Sequence, residues 1–235
     1  LWEFEVYGDS ITKIPPESIT ILSGIKDDTM IYVKQEVQMR VSMLPENTTD
    51  KSVTWNVYDI DGSETTLASI SKNGKLTAKQ NGQVKVVATA NDGSGVTGEL
   101  IVTITNQDLE NIAINKVVKA SSKAANDVSE ENVVDGNIKT RWASHNNNNE
   151  YITIDLGDSY YINQVIFNWE TAYGKKYKIL GSLDDKTYFE IFNEDSSDGG
   201  IDNIIFDKQL VRYVKMQGVE KATQWGYSLY EFEVY

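Results

Sequence analysis

The sequence predicts an all-β chain that contains two successive β-sandwich domains. Apolar and polar residues alternate over short runs, without helical periodicity, along most of the 235 residues. Asparagine–glycine pairs such as Asn73-Gly74 and Asn81-Gly82 separate these runs, and such pairs favour tight turns between antiparallel strands. A short junction at residues 106–111 divides the strands into two groups, which is why we predict two domains.

The two ends of the sequence are nearly identical. LWEFEVY at residues 1–7 recurs as LYEFEVY at residues 229–235, and only the second position differs. Alternating apolar and acidic residues are typical of a strand. We therefore predict that residues 1–8 are the last strand of a preceding module of the same kind as the C-terminal domain. Residues 9–17, which include Pro15-Pro16, are predicted to form a linker.

Residues 18–105 are predicted to form the first sandwich, because short strands recur at the spacing that such folds use. Trp55 occupies a strand position from which it can fill the core. The predicted strands of this domain are residues 18–22, 37–41, 53–57, 84–90 and 100–104.

Residues 112–235 are predicted to form a second sandwich of the jelly-roll type. Trp142 and Trp169 lie within predicted strands, which favours a place in the core. The predicted strands are residues 151–157, 164–169, 177–180, 188–192, 204–206, 211–216 and 229–235.

The composition excludes several classes of function. The net charge is −13 and the isoelectric point is about 4.5, so nucleic acid and anionic membrane lipid are not expected as partners. The chain has no cysteine, which excludes disulfides and thiolate sites for zinc or iron–sulfur clusters. A cysteine-free composition rich in Asn, Thr, Ser and Tyr favours a secreted bacterial protein.

The segment NVVDGNIKTRW at residues 132–142 is the strongest candidate for a metal site. It places the oxygens of Asp135, Asn137 and Thr140 around Gly136, with no histidine or cysteine nearby. Oxygen ligands without nitrogen or sulfur suit a hard cation such as calcium. An ordinary Asp-Gly turn explains the same residues, and the segment alone leaves both interpretations open.

Two runs of the first domain resemble a known family. They are PENTTDKSVTWNV, which begins at Pro45, and SISKNGKLTAKQNGQVKVVATA, which begins at Ser69. Both are similar to bacterial immunoglobulin-like domains of group 2. The resemblance implies an Ig-like β-sandwich that acts as a spacer and has no catalytic residues.

The second domain resembles the discoidin, or F5/8 type C, family in its branch of family 32 carbohydrate-binding modules. The resemblance implies a discoidin-type jelly roll over residues 112–235. The motifs that carry it are AINK, VVDGNIKTRWAS, YITIDLG, NWETAYGKKYKI, VRYVKM and GYSLYEFEVY.

The resemblance implies a structural calcium ion between the aspartate loop and the last strand. Two carboxylates, one hydroxyl and several carbonyls would give the oxygen shell that calcium prefers. Side-chain ligands are expected from Asp135, Thr140 and Glu231. Main-chain carbonyls are expected from Asn132, Asn137, Thr140 and Tyr230.

The resemblance also places a sugar in the loops at one end of the sandwich, at residues 121–127, 144–150, 170–175 and 220–227. Aromatic faces cover the apolar face of a sugar ring. Trp225 is the best candidate, because it lies in a turn and not at an alternating strand position. Tyr227 and Tyr173 are weaker candidates, since both can pack inside.

Polar candidates are Glu170, His145, Asn146 and Lys123. Glu170 can equally accept sugar hydroxyls or pair with a nearby base. Asn146 and Lys123 can reach a sugar, but a solvated loop and a solvated lysine are the favoured interpretations for these two residues. Galactose-binding members use a histidine with an arginine, and Glu170 stands where that arginine is expected. The resemblance therefore favours glucose-, mannose- or hexosamine-type polysaccharides over galactose.

Three functions remain. The first is a non-catalytic carbohydrate-binding module with an Ig-like spacer, monomeric within the multidomain chain of a secreted glycan-active enzyme. The second is a discoidin domain for adhesion or protein binding at a cell surface. The third, an enzyme in its own right, is the weakest, because no nucleophile or carboxylate pair stands out beyond the calcium candidates.

Overall fold

The computed structural model describes residues 12–235, so the predicted strand at residues 1–8 lies outside the described residues. The described chain confirms the all-β prediction, because its regular structure consists of strands and two short 3₁₀ turns. The chain divides into two compact units, one ending at Asp108 and the other spanning Leu109–Tyr235.

The first unit is an antiparallel sandwich with one parallel strand pair. The strands are β1 Ser18–Leu22, β2 Thr29–Met30, β3 Glu36–Gln38, β4 Arg40–Leu44, β5 Val53–Asp59, β6 Ala68–Ile70, β7 Lys75–Ala78, β8 Gly82–Ala90 and β9 Thr97–Ile104. A 3₁₀ turn, Lys26–Asp28, lies between β1 and β2. The sheets have the orders β1-β4, β2-β9-β8-β5 and β3-β7-β6, and β2 runs parallel to β9.

The predicted strand at residues 37–41 is divided in the structure. Met39 separates β3 from β4, and its N–H donates to the Gly74 carbonyl at 2.8 Å. The chain changes sheets at this point, since β3 pairs with β7 and β4 pairs with β1. Trp55 is partly buried against the core of this unit and covers Gly74, where a Cβ would lie 2.8 Å from the indole.

The second unit contains one large sheet of seven strands. They are β10 Val117–Ala120, β11 Trp142–Ala143, β12 Tyr151–Trp169, β13 Gly174–Ser182, β14 Phe189–Glu194, β15 Ile201–Lys221 and β16 Ser228–Val234. Their order is β11-β16-β12-β15-β13-β14, and β10 pairs with β12. A 3₁₀ turn, Glu130–Val134, precedes β11 and buries Val133 and Val134.

Strands β12 and β15 are longer than the sequence pattern predicts. The predicted segments 151–157 and 164–169 join in β12, and the segments 204–206 and 211–216 join in β15. The two strands pair through register shifts, one of them between Asp155 and Tyr160. Such irregularities interrupt the alternation of apolar residues while the pairing continues, which is why each strand looks like two in the sequence.

An aromatic cluster forms the core of the second unit. Trp142 is fully buried and Trp169 nearly so, as predicted. Phe167 packs edge-on against Phe232, with ring centroids 4.6 Å apart, and also against Tyr177. Within residues 12–235, the structure contains no helix with the length and apolar character needed to cross a membrane.

Candidate functional site

A cavity of about 1000 Å³ opens at one end of the second unit. Each of the four loops that the sequence predicts for ligand binding contributes to it. A site between several loops on a rigid sandwich is the usual arrangement for small ligands. The lining residues are Ala124, Ala125, Asp127, Val128, Arg141, Ala143, Ser144, His145, Asn146, Glu170, Thr171, Ala172, Trp225, Gly226, Tyr227 and Ser228.

Trp225 supplies the aromatic surface of this cavity. Its side chain is 64% exposed, although an indole of this size is normally well buried. The backbone N–H of Trp225 donates to the Thr223 hydroxyl at 3.2 Å, and this bond stabilises the turn that precedes Trp225. At Gly226 a Cβ would lie 2.2 Å from the His145 carbonyl, so only glycine permits the two loops to approach this closely.

Two acidic residues, Glu170 and Asp127, line the cavity. Glu170 is half-buried, and its carboxylate accepts a hydrogen bond from the Ala172 N–H at 3.1 Å. Its own N–H donates to the Ser228 carbonyl at 3.0 Å, which fixes the start of the loop after β12. Asp127 is exposed at the rim. A cavity with these carboxylates suits a ligand that presents hydroxyls or amines.

Arg141 was not among the predicted ligand residues, although it lines the cavity. Its guanidinium donates from Nη1 to the Ser228 hydroxyl at 2.9 Å. Arg141 directly precedes β11, so its side chain leaves the sheet at the edge of the cavity. In the sequence it was assigned only to the metal-loop segment, and its place between the two regions becomes visible only in three dimensions.

The predicted polar residues are divided between the cavity and its surroundings. His145 and Asn146 are exposed and line the cavity, as does Glu170. Lys123 does not line it, and its ammonium lies 3.9 Å from the Glu130 carboxylate. That contact fits the alternative of a solvated lysine.

Neither predicted tyrosine presents a face to the cavity in the way Trp225 does. Tyr227 is fully buried, so the expectation that its ring stacks on a ligand is corrected: its hydroxyl donates to the Asn148 carbonyl at 2.8 Å. Burial at this position requires Gly218, where a Cβ would lie 2.4 Å from the tyrosine ring. Tyr173 is absent from the cavity lining and packs against the core beside Gly199.

The aspartate loop is closed by its own hydrogen bonds. The Asp135 carboxylate accepts from the Asn137 N–H at 2.8 Å and from the Thr140 hydroxyl at 2.7 Å. Gly136 adopts the left-handed conformation, with φ of 72°. The Asn132 side-chain amide donates to the Arg141 carbonyl at 2.9 Å, so Asn132 ties the start of the loop to its end.

Glu231 approaches this loop from β16. It is 3% exposed, and its Oε1 atom is buried with no hydrogen-bond partner in the described range, residues 12–235. Burial, together with the nearby Asp135 charge, raises the pKa of Glu231 to about 7, while backbone N–H groups of Asn137 and Gly136 oppose the shift. Tyr230 precedes it on the same strand.

These residues offer oxygen donors of the kind that calcium prefers. The side chains would contribute two carboxylates and one hydroxyl, and the buried Oε1 of Glu231 lacks a hydrogen-bond partner among residues 12–235. A buried carboxylate oxygen normally has a hydrogen-bond partner. A cation bound to Oε1 would supply the interaction that this oxygen lacks. Within the described part of the chain, no group of three or more His, Cys, Asp or Glu side chains converges on one point. The remaining oxygens would have to come from Thr140 and the main chain.

Both halves of the chain match known families. The F5/8 type C domain matches residues 117–232, and the group 2 bacterial Ig-like domain matches residues 24–100. Two solved relatives are chitosan-binding modules 2 and 1 of a chitosanase/glucanase from Paenibacillus sp. IK-5, the former in complex with chitotriose. Each is 37% identical to this chain. The match with module 2 covers 53% of this chain and 99% of the module, with a TM-score of 0.52. The match with module 1 covers 54% of this chain and 99% of the module, with a TM-score of 0.53.

A relative known from its sequence is a polysaccharide lyase 8 family protein, HylA, from Enterococcus faecalis. It is 29% identical over 113 residues, which are 45% of this chain and 8% of the relative. The chain spans between 8% and 23% of the length of the curated relatives it matches. The chain belongs to the F5/8 type C domain family over residues 117–232 and to the group 2 bacterial Ig-like domains over residues 24–100.

Proposed function

We propose that the second unit is a non-catalytic carbohydrate-binding module for hexosamine polysaccharides of the chitosan type. The observation that carries this proposal is the cavity, in which an exposed indole, Trp225, faces the same space as the carboxylates of Glu170 and Asp127. An indole covers the apolar face of a sugar ring. The carboxylates accept hydrogen bonds from hydroxyls and from the ammonium groups of glucosamine.

Charge and similarity support the same class of ligand. Chitosan is a polycation, and the net charge of −13 favours its approach. A similar module, 37% identical, is described in complex with chitotriose. Glucose- and mannose-type sugars share the equatorial hydroxyls of glucosamine and rank next. Galactose ranks below them, because Glu170 stands where galactose-binding members are expected to carry arginine.

We propose that the Ig-like unit is a spacer and that the whole chain is part of a secreted or cell-surface glycan-active enzyme, which the module directs to its polysaccharide. The similarity to a polysaccharide lyase and to modules of a chitosanase/glucanase supports this context. A discoidin domain for adhesion to a surface protein is the alternative, and a binding experiment separates the two.

Calorimetric titration with chitotriose tests the proposal. We expect a Kd of about 0.1 to 1 mM, typical of a shallow site, weaker binding of tri-N-acetylchitotriose, and weakening with added salt. Trp225→Ala is expected to raise the Kd more than about tenfold while the melting temperature stays nearly unchanged. The control is Tyr161→Ala, since Tyr161 is 67% exposed and does not line the cavity.

Two results would contradict the proposal. One is the failure of the wild-type protein to bind any oligosaccharide while it captures a purified surface protein. The other is equal affinity of Trp225→Ala and wild type for chitotriose. A large loss of stability in Trp225→Ala would show instead that the indole contributes to the core.

We also propose that the aspartate loop and Glu231 hold a structural calcium ion. The buried Oε1 of Glu231 and the all-oxygen donor set support the proposal. The ion would join residues that are far apart in the sequence and thereby reduce the freedom of the unfolded chain. Its ligands would be the side chains of Asp135, Thr140 and Glu231 and the carbonyls of Asn132, Asn137, Thr140 and Tyr230.

Titration of the chelator-treated protein with calcium measures this site directly. We expect saturable binding of one ion by the wild-type protein. Glu231→Gln should abolish it, because the amide offers a neutral ligand in place of a charged one. Glu190→Gln is the matched control, since Glu190 is exposed on β14. Equal binding by all three proteins would exclude Glu231 as a ligand.

A further inference from the structure

A second buried carboxylate, Glu150, lies behind the cavity and does not line it. It is 6% exposed. Its Oε2 accepts hydrogen bonds from the hydroxyls of Ser121 and Ser122, the latter at 2.6 Å. No ion pair to Glu150 occurs within residues 12–235. A buried charge is costly unless it is hydrogen-bonded, so the position of Glu150 depends on these serines.

Ser122 connects Glu150 to the cavity wall. Its hydroxyl has one proton, which it donates to Glu150, and the oxygen accepts from the His145 N–H at 2.9 Å. The carbonyl of Ser122 accepts from the indole N–H of the buried Trp142 at 2.9 Å. Glu150 therefore fixes the direction of the hydroxyl, and the hydroxyl fixes the backbone at His145.

The C-terminal end of the loop that begins at His145 is also bound by residues outside the loop. The Tyr227 hydroxyl donates to the Asn148 carbonyl at 2.8 Å, and the Gln217 side chain donates to the Asn149 carbonyl at 3.2 Å. The Lys221 N–H donates to the Asn148 side-chain oxygen at 3.3 Å. A segment of four asparagines that the sequence suggests is a solvated loop is thus anchored at both ends.

We propose that Glu150 is a positioning residue of the sugar cavity, acting on His145 and Asn146 through Ser122. The inference rests on the proposed function, because it assigns a role in the same cavity. Glu150 does not touch the ligand. It holds the wall that carries His145 and Asn146 in place before the sugar arrives, so that binding does not have to order this loop.

Chitotriose titration of Glu150→Ala and Glu150→Gln tests the role. The alanine variant should raise the Kd about tenfold, because the loop must then be ordered on binding. Glutamine keeps an acceptor oxygen for both serines, and its Kd should stay within about threefold of wild type. Asp155→Ala is the matched control: its carboxylate is bound by Arg212 at 2.9 and 3.0 Å, outside the cavity, and its Kd should not change.

Amide hydrogen exchange at His145 gives a readout that a general loss of stability would not move selectively. Exchange should accelerate in Glu150→Ala and in Ser122→Ala, and stay near wild type in Glu150→Gln. Ser122→Ala keeps the contact between Ser121 and Glu150, so it tests the connection even if Glu150→Ala does not fold.

Unchanged Kd values and unchanged exchange at His145 in both alanine variants would overturn the inference. Failure of the wild-type protein to bind chitotriose would refute the proposed function instead. The exchange rates would still decide whether Glu150 positions this wall.

Discussion

Glu150 and Glu231 are both buried carboxylates of the second unit, and their surroundings differ. At Glu150 the protein supplies two hydroxyl donors to a single oxygen atom. At Glu231 the Oε1 atom has no hydrogen-bond partner within residues 12–235, and the negative charge of Asp135 opposes its ionisation. Hydroxyl donors therefore stabilise the charge of Glu150, whereas the part of the chain that the structure describes leaves one oxygen of Glu231 without a donor.

This difference separates two ways of placing a charge in a core. A carboxylate that accepts hydrogen bonds from the protein stabilises the fold it belongs to, and its removal leaves donors unpaired. A buried carboxylate with one unpartnered oxygen and a second carboxylate nearby is costly to the fold, and a bound cation would offset that cost. In the two proposals made above, the same residue type thus supports the loop at residues 145–149 in one place and serves as a cation ligand beside residues 132–141 in the other.

The largest expected effect is that of calcium on stability. At a hundred times its Kd, calcium should raise the free energy of unfolding by about 2.7 kcal/mol, since it binds only the folded state. Urea unfolding with calcium and with EDTA measures this difference. It should vanish in Glu231→Gln, and identical unfolding curves for the wild-type protein would refute the calcium site.

Metal removal should leave sugar affinity unchanged well below the unfolding temperature. Without the ion, the aspartate loop keeps its own hydrogen bonds from Thr140 and Asn137 to Asp135. The cavity wall is therefore not expected to depend on the ion. Chitotriose titration in EDTA checks this expectation, and a loss of binding in parallel with calcium would contradict it.

The next effect concerns substitutions of Glu150 and Glu231 in calcium-free protein, which should change the free energy of unfolding in different directions. Glu150→Ala should lower the free energy of unfolding by about 2 kcal/mol, because two hydroxyls lose their acceptor. Glu231→Gln should leave it unchanged or raise it by up to about 1 kcal/mol, because a buried, unpaired charge is removed. Urea unfolding in EDTA compares the two, and equal destabilisation would remove the distinction between them.

One glycine beside the cavity and one in the aspartate loop offer a comparison with smaller expected effects. Gly226→Ala should cost about 1.5 kcal/mol and weaken sugar binding, because a Cβ would collide with His145 and Ser144. Gly136→Ala should cost about 1 kcal/mol through its left-handed backbone alone, since the nearest atom is Ile114 Cδ1 at 3.6 Å. Thermal unfolding with chitotriose titration distinguishes them, and loss of sugar affinity in Gly136→Ala would contradict the difference.

The smallest effect concerns Asp155, a carboxylate that has a cationic partner. The hydrogen bonds from Arg212 lower the pKa of Asp155 below the ordinary value of an aspartate. When the pKa of a carboxylate is lower in the folded than in the unfolded state, the folded state gains stability at pH values above the unfolded-state pKa. This stability is lost as the pH falls through the folded-state pKa. The pair is partly exposed, so Asp155→Asn should cost about 0.5 kcal/mol at pH 7 and nothing at strongly acid pH. Equal cost at both pH values would point to packing instead.

The sequence predicts those features that leave an alternating pattern of apolar and polar residues or a short motif. It identifies both sandwiches, the buried Trp142 and Trp169, and the exposed Trp225, because strand and turn positions differ in pattern. It does not show that β12 and β15 are continuous, since register shifts interrupt the alternation. The four-residue β10 was missed because so short a segment carries too little pattern.

The side chains were harder to place, because their partners lie far away in the chain. Burial of Tyr227 depends on the absence of a side chain at Gly218, and anchoring of Asn148 depends on Tyr227. Glu150 was not singled out, since its serine partners are 28 and 29 positions away. Arg141 was assigned to the metal loop alone, whereas its guanidinium lines the cavity.

Arg141 belongs to both regions of the second unit, and this limits how the module can change its sugar. Asn132 holds its carbonyl and Ser228 holds its guanidinium. Trp225, by contrast, is 64% exposed, and its backbone N–H is bound within its own turn by the Thr223 hydroxyl. Changes of ligand specificity, in evolution or in the laboratory, are therefore expected to proceed through Trp225 and its neighbours, whereas a substitution at Arg141 would also have to preserve the aspartate loop.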